Sequence, residues 1–347
     1  MKTDSTPESA QAHRISIVVP VYQGERTLNA LIDEILPLTT TQTTPRGRPM
    51  IVEEVLLVFD HGPDGSAAVI RALAKQHDFI RPIWLSRNFG QHPATLAGMA
   101  SSGGEWVVTL DEDGQHDPAE IGGLLDTALD QQATLVYAQP VNAAPHGALR
   151  NAASKSSKWL TTKILSSENS VKYQSFRLVL GEVGRSVAAY AGSEAYLDVA
   201  LGWIAGEVTT SPVQLREERG RASGYHLRSL LSHFWRMVLS SGTKGLRMVS
   251  LIGFLFAVGG LAIVLYVLAS YMFFDAGVEV RGWASTMIVM LFGFGAVLFS
   301  LGVIAEYIGV AVKTAMGKPP YLIVSDPAVG PLGRREASES PNIKSPE

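Results

Sequence analysis

Apolar runs alternate with amphipathic segments along the first third of the chain. The runs are continuous and rich in β-branched residues, whereas the segments between them place apolar residues three and four positions apart. Continuous runs are typical of strands buried on both faces, and the wider spacing is typical of helices. The predicted strands are 15–22, 52–59, 80–85 and 105–110, and the predicted helices are 27–36, 66–76 and 93–101. This alternation predicts an α/β fold with a doubly wound, mostly parallel sheet.

The pattern is less regular after residue 136. It predicts strands at 176–180 and 208–216 and a helix at 195–204. Residues 225–247 are amphipathic and come directly before a long apolar run. This position favours a juxtamembrane helix that lies in the membrane interface. An ordinary helix on the domain surface is the alternative interpretation.

Two apolar stretches near the end of the chain carry no charged residue over more than the roughly 20 positions that cross a bilayer as a helix. They predict transmembrane helices at 248–274 and 284–308, joined by a short outer loop at 275–283. Two buried core helices are the alternative. Basic residues precede the first span and follow the second, at Arg228, Arg236, Lys244, Arg247, Lys313 and Lys318. The positive-inside rule then places both termini in the cytoplasm of a multi-pass protein of the inner (cytoplasmic) membrane.

The rest of the chain divides around these spans. Residues 1–13 are expected to form a disordered tail, 14–224 a cytoplasmic catalytic domain, and 309–347 a cytoplasmic C-terminal tail. The chain of 347 residues has no cysteine, which excludes disulfides, thiolate metal sites and a cysteine nucleophile. Its net charge of -3 gives no support for nucleic-acid binding.

An acidic motif, Leu-Asp-Glu-Asp-Gly-Gln-His-Asp-Pro, directly follows the fourth predicted strand. Asp111 and Asp113 lie two positions apart where the strand gives way to a loop, so both can reach one divalent cation. Carboxylate oxygens suit Mg²⁺ or Mn²⁺, which usually bind through one or two carboxylates and a substrate's phosphates. In open α/β sheets, ligands bind beyond the carboxyl ends of the strands. A solvated acidic loop is the alternative.

Several motifs together resemble the family 2 glycosyltransferases of the GT-A fold. They are the strand ending in Pro-Val-Tyr, the segment Leu-Ser-Arg-Asn-Phe-Gly at 85–90, and the acidic motif. The two spans, with Gly-Val-Ile-Ala-Glu-Tyr-Ile-Gly at 302–309 and Lys-Pro-Pro-Tyr-Leu-Ile-Val at 318–324, are similar to the polyprenyl-phosphate glycosyltransferases, a branch that includes dolichol-phosphate-mannose synthase. The resemblance covers roughly residues 14–325.

The resemblance implies roles for individual residues. The metal and diphosphate motif corresponds to Asp111, Asp113 and Gln115, with Asp113 also catalytic. The donor-binding residues are expected to be Pro20, Tyr22, Glu25, Asp60, Asn88 and Asp111. Candidates for the acceptor phosphate are Arg150, Ser154, Arg177, Arg219 and Arg221, and of these Arg150 and Arg177 are also expected to be catalytic.

The chain departs from the family pattern at two places. Phe59-Asp60 stands where the family usually has paired aspartates, and Gly220 is displaced by one position in the loop that precedes Tyr225. The first departure weakens the expectation of a uridine donor. The second leaves open whether Arg219 or Arg221 serves the acceptor loop.

The expected function is an inverting transfer of a sugar from a nucleotide-diphosphate donor to undecaprenyl phosphate, with Mg²⁺ or Mn²⁺, at the cytoplasmic membrane face. A processive polysaccharide synthase is disfavoured because the chain lacks a Gln-x-x-Arg-Trp element and has too few spans for a channel. A membrane-anchored nucleotide-binding scaffold without turnover, and a transferase with another acceptor, are the alternatives. Small residues in the spans permit close helix packing and a homo-oligomer. The sugar and the base are not specified.

Overall fold

The structure is a computed structural model, and the residues that it describes are 11–141, 174–192, 196–216, 244–273 and 282–329. These residues fall into two compact units. The first contains the described residues up to 216 and those from Pro319 onward, and the second contains 244–273 and 282–318.

The first unit alternates strands and helices as the sequence predicts. Its elements are β1 (His13–Val21), α1 (Leu28–Ile35), β2 (Gln42–Thr43), β3 (Pro49–Phe59), α2 (Ser66–Gln76), β4 (Ile80–Leu85), α3 (Gln91–Ser101), β5 (Trp106–Thr109), α4 (Ile121–Gln131), β6 (Leu135–Pro140), β7 (Arg177–Leu180), α5 (Gly181–Tyr190), α6 (Leu197–Ile204), β8 (Val208–Val213) and β9 (Ile323–Val324). Short 3-10 helices occupy Leu36–Thr39 and Pro118–Glu120.

Within the described residues, nine strands form one sheet in the order β8-β6-β7-β5-β1-β3-β4-β9, with β2 paired to β3 beside this path. The four strands predicted first, β1, β3, β4 and β5, are neighbours and parallel to one another. The flanks differ, because β7 runs antiparallel to both β5 and β6, and β9 runs antiparallel to β4. The sheet is therefore mixed, and its parallel part is the centre.

Both faces of the central strands are covered, which explains their continuous apolar sequences. Side chains alternate between the two faces of a strand. In β1, Ile17 and Val19 join a core with residues of α1, α2 and α4, while Val18 joins a second core with residues of α3, α5 and α6. All three side chains are fully buried.

The C-terminal strand β9 closes one edge of the sheet. Its pairing with β4 is continued by the backbone N–H of Ser86, which donates to the carbonyl of Leu322 at 3.0 Å. Arg71 donates to both carboxylate oxygens of Asp326 at 2.7 Å, and its guanidinium lies 4.8 Å from the ring centre of Trp84. A bidentate pair of this kind gives geometric specificity. Residues 319–326 thus belong to the first unit, within the segment 309–347 that was expected to be a cytoplasmic tail.

The second unit consists of two helices that contact each other, α7 (Lys244–Phe273) and α8 (Trp283–Ala315). Among the described residues, one segment, Val289–Ala315 in α8, is long and apolar enough to cross a membrane. Few residues of its most apolar window are buried, unlike those of a soluble core helix. The apolar stretch identified in α7, Val249–Ala262, is shorter than a bilayer requires. The first predicted span therefore stays a prediction, and most of the predicted interfacial helix, 225–243, lies outside the described residues.

We expect the substitution Asp326→Asn to loosen β9. It removes the charge and one of the two acceptors of Arg71, and a partly solvent-accessible ion pair of good geometry contributes about 1 kcal/mol. The protection of the Ser86 amide against hydrogen exchange should therefore fall roughly fivefold. The matched control is Asp130→Asn, which breaks a pair with Arg48 elsewhere on the unit and should leave Ser86 unchanged.

The same contact should depend on pH. The two hydrogen bonds from Arg71 lower the pKa of the Asp326 carboxyl below its usual value. A depressed folded-state pKa means that the stabilisation is complete above the unfolded pKa of about 4 and is lost as the pH falls through the lower, folded value. The Ser86 protection factor should decline over that acidic range in the wild type only. An equal decline in Asp326→Asn would contradict this assignment.

Candidate active site

The loops that follow β1, β3, β4 and β5 meet at the carboxyl edge of the sheet, as expected for neighbouring parallel strands. The backbone N–H of Asp60 donates to the carbonyl of Val21 at 2.8 Å, which joins the loops after β1 and β3. Gly62 makes the same approach possible, because a Cβ there would lie 1.5 Å from the carbonyl oxygen of Tyr22. The loops after β1 and β3 are thus in direct contact at this edge.

Asp111 is held from two sides. The Gln91 side-chain amide, at the start of α3, donates to its Oδ1 at 2.6 Å, and the Ser175 hydroxyl, just before β7, donates to its Oδ2 at 2.6 Å. Ser175 is placed by the antiparallel pairing of β7 with β5, in which Arg177 lies opposite Thr109. The orientation of the first acid in the motif is thus set by groups far away in the sequence.

His116 lies beneath the acidic loop. Its Nδ1 accepts the backbone N–H of Asp111 at 3.1 Å, and its ring stacks on Phe176 with the centroids 5.1 Å apart. Since a backbone N–H can only donate, the neutral imidazole carries its proton on Nε2, which lies 3.9 Å from Asp111 Oδ2. The buried histidine therefore supports the backbone of the acidic loop with one ring nitrogen, and its other ring nitrogen faces the Asp111 carboxylate.

Asp113 and Gln115 form a tight turn. The Oδ1 of Asp113 accepts the backbone N–H of Gln115 at 3.0 Å, and the carbonyl of Gln115 accepts the backbone N–H of Arg216 at 3.1 Å. Arg216 also pairs with Glu34 at 2.7 Å and with Asp117 at 2.5 Å. The chain after β8 therefore fixes the far side of the acidic loop.

The acidic loop fits a hard divalent cation. A carboxylate offers about four lone-pair sites, so the bonds from Gln91 and Ser175 leave room for a cation at Asp111. Among the described residues, no group of three or more histidine, aspartate or glutamate side chains is arranged to hold a metal ion. Two carboxylates and the oxygens of a bound diphosphate are a usual ligand set for Mg²⁺. Asp111 and Asp113 are thus the residues that can hold Mg²⁺ or Mn²⁺ together with a substrate.

The Asp60 carboxylate forms hydrogen bonds within the protein. Its two oxygens accept the backbone N–H groups of Phe89 and Gly90, each at 2.7 Å, so it holds the turn after β4. Burial raises the pKa of the Asp60 carboxyl above its usual value, although both N–H donors oppose the shift. This leaves Asn88 exposed at the tip of the turn. The structure thus presents Asn88 at the edge and gives Asp60 a supporting position.

The first loop carries the other expected donor-binding residues. Tyr22 is 40% exposed, and the carboxylate of Glu25 accepts the backbone N–H of Gly65 at 3.0 Å. Pro20 lies in β1 beyond Val18, the last residue that pairs with β5. Its missing N–H therefore costs no bond to that strand. The three residues lie within six positions of one another at the carboxyl end of β1.

Arg177 does not have the exposed position expected of a phosphate ligand. Its guanidinium donates to Asp198 in an ion pair whose side chains are each 4% exposed, and the Tyr137 hydroxyl donates to the same carboxylate at 3.0 Å. Moving Arg177 toward a ligand would leave Asp198 as an uncompensated buried charge. The ion pair therefore holds this arginine in place. The geometry gives no support to Arg177 as a catalytic or acceptor-phosphate residue. The other acceptor candidates, Arg150, Ser154, Arg219 and Arg221, lie outside the described residues.

Sequence reasoning missed three residues that shape the site, namely Gln91, Glu112 and Ser175. The carboxylate of Glu112 accepts the backbone N–H groups of Tyr22 and Gln23, both at 2.9 Å. Its position between two candidate metal ligands was a signal, and so was the place of Ser175 two positions before Arg177, a predicted site residue. Nothing in the local sequence marks Gln91.

Residues 16–182 match the family model described as Glycosyl transferase family 2. This part of the chain therefore matches a family 2 glycosyltransferase domain, and it contains the parallel centre of the mixed α/β sheet described above. The undecaprenyl-phosphate 4-deoxy-4-formamido-L-arabinose transferase of Sodalis glossinidius (strain morsitans) is 26% identical to it over 343 residues, which are 94% of this chain and 98% of that protein.

Solved structures of two synthases are similar to part of the chain. Mannosyl-3-phosphoglycerate synthase from Rubrobacter xylanophilus is 16% identical with a TM-score of 0.45, over 68% of this chain and 74% of that one. Glucosyl-3-phosphoglycerate synthase from Mycobacterium tuberculosis, in complex with Mn²⁺, uridine diphosphate and phosphoglyceric acid, is 17% identical with a TM-score of 0.44, over 67% and 78%.

We expect Ser175→Ala to weaken cation binding at Asp111. The substitution removes the donor that orients Oδ2, and loss of such an outer hydrogen bond typically lowers metal affinity about 10- to 100-fold. The measurement is a Mn²⁺ titration of the purified protein with a nucleoside diphosphate present. Ser101→Ala is the matched control, because the Ser101 hydroxyl donates to the carbonyl of Ala97 within the same helix, α3. Equal affinity of both variants for Mn²⁺ would refute the role of Ser175.

Proposed function

We propose that the protein transfers a sugar from a nucleotide-diphosphate donor to a polyprenyl phosphate at the membrane, with Mg²⁺ or Mn²⁺. The observation that carries this proposal is the acidic loop at the carboxyl edge of the sheet, with Asp111 and Asp113 inside the residues that match the family model. Similarity to an undecaprenyl-phosphate sugar transferase along 94% of the chain supports the acceptor class.

The acidic loop suits the departure of a nucleoside diphosphate. Breaking the bond at the anomeric carbon places negative charge on the leaving diphosphate. A divalent cation at Asp111 and Asp113 supplies the positive charge that stabilises this group where the charge develops. The two carboxylates would hold the cation and orient it on the diphosphate. The bonds from Gln91, Ser175 and Gln115 keep them oriented before the donor arrives.

A phosphate acceptor reduces what the chain must supply. A sugar hydroxyl has a pKa far above neutral and needs a general base. A phosphate monoester has its second pKa near 6 and is therefore mostly dianionic at neutral pH. Positioning and positive charge then suffice for an in-line displacement that inverts the anomeric carbon. Arg150, Ser154, Arg219 and Arg221 are the candidates for this contact, since guanidinium groups suit phosphate oxygens.

The membrane location fits a lipid acceptor. The apolar segment of α8, Val289–Ala315, has the length and composition of a span. We propose that residues 248–274 form a second span, with the catalytic domain and both termini on the cytoplasmic side, as the basic flanks indicate. An anchor of this kind keeps the catalytic domain at the membrane in which a polyprenyl phosphate resides.

The test offers UDP-, GDP- and dTDP-sugars with Mg²⁺ or Mn²⁺ and a short polyprenyl phosphate to the full-length protein in detergent. Lipid-linked sugar is read by mass spectrometry. We expect product from one donor, its loss in EDTA, and a fall of about a hundredfold or more in Asp113→Asn. Asp78→Asn, on an exposed loop away from the site, should keep wild-type activity.

Two outcomes would contradict the proposal. Nucleotide binding without product from any donor would indicate a scaffold that does not turn over. Product formed only on water-soluble acceptors would keep the transferase and reject the lipid phosphate.

A further inference from the structure

Glu112 stands between the two candidate metal ligands and faces a different loop. Its Oε2 accepts the backbone N–H of Tyr22 and its Oε1 accepts that of Gln23, both at 2.9 Å. Two successive backbone N–H groups that converge on one anion form a cradle for negative charge. Here the cradle holds a carboxylate of the chain itself.

The neighbouring backbone is shaped around this contact. A Cβ at Gly24 would lie 2.9 Å from Oε2 of Glu112 and 2.9 Å from Cγ of Leu28. A larger residue would therefore push the loop away from the carboxylate or from α1. The backbone N–H of Gly24 also donates, at 2.8 Å, to the hydroxyl of Ser66 at the start of α2. The loop after β1 thus has little freedom, and Glu112 joins it to the acidic loop.

We infer that Glu112 is a positioning residue that sets the spacing between the donor-binding loop after β1 and the metal-binding loop after β5. This inference rests on the proposed function, in which Tyr22 and Glu25 contact the donor and Asp111 and Asp113 hold the cation on its diphosphate. One nucleotide-sugar must bridge both loops at once. Fixing their separation before binding removes an ordering cost that binding would otherwise bear.

The reach of Glu112 matters as much as its charge. A glutamine has the same length but only one acceptor oxygen, and its NH₂ group would face a backbone N–H. An aspartate keeps the charge but is one methylene shorter, so it cannot reach both N–H groups without moving a loop. If Glu112 acted only by adding negative charge near the cation, the aspartate would preserve its effect. The two variants therefore separate bridging from simple electrostatics.

The experiment compares wild type, Glu112→Gln and Glu112→Asp as full-length proteins in detergent. UDP, GDP and dTDP are titrated with Mn²⁺ present, and hydrogen exchange is measured at the Tyr22 and Gln23 amides. We expect both variants to bind the preferred nucleotide about tenfold more weakly and to exchange faster at both amides. The KM for the donor should rise more than kcat falls, because the bridge acts on assembly of the site.

Glu105→Gln is the matched control. Glu105 also accepts a backbone N–H, from Arg14 at 3.3 Å, but it precedes β5 at the opposite end of the strand. It should leave nucleotide affinity and the Tyr22 amide unchanged.

The outcomes separate this inference from the proposed function. Wild-type affinity and KM in Glu112→Asp, or unchanged exchange at Tyr22 and Gln23 in both variants, would overturn the bridging role while the transferase stands. Wild-type protein that binds no nucleoside diphosphate would overturn the proposed function itself. In that case faster exchange in the variants would still show that Glu112 holds the loop, but its role in donor binding would be rejected.

Discussion

Backbone N–H groups just past the ends of β1 and β4 lie beyond the sheet ladder and must find acceptors elsewhere. Two carboxylates provide them, Glu112 for the loop after β1 and Asp60 for the turn after β4. Gln91 then joins that turn to Asp111, which completes a circuit through the loops of four strands. The acidic residues of this edge therefore divide into those that hold the loops and those that face a ligand. The geometry of the second group depends on the first.

The sequence predicts the centre of the fold better than its flanks. Strands covered on both faces leave continuous apolar runs, so β1, β3 and β4 are evident from the pattern of apolar positions. The mixed character of the sheet depends instead on β7, whose pairing with β5 and β6 spans a long separation in the chain. The pairing of β9 with β4 is of the same kind. The periodicity of apolar positions indicates which face of a strand or helix a residue lies on. It gives no information about which distant strand that element pairs with.

The candidate site follows a similar division. Asp111 and Asp113 are identifiable because the motif and its place after a strand point to the same chemistry. The supporting hydrogen bonds of Ser175 and Glu112 arise only when loops are brought together, so no local pattern reveals them. Arg177 shows the reverse case. A guanidinium group has the right chemistry for a phosphate, yet this one forms an ion pair with Asp198 in the interior.

The return of the chain to β4 has a consequence for synthesis. Arg71 and Asp326 are 255 positions apart, and both helices of the second unit lie between them in the sequence. A ribosome that has just finished the central strands has therefore released a sheet whose β4 edge is still bare. An uncovered edge can pair with other chains, and nascent domains are vulnerable to such pairing. Translation must pass Val324, beyond the apolar segment of α8, before the chain can cover its own edge.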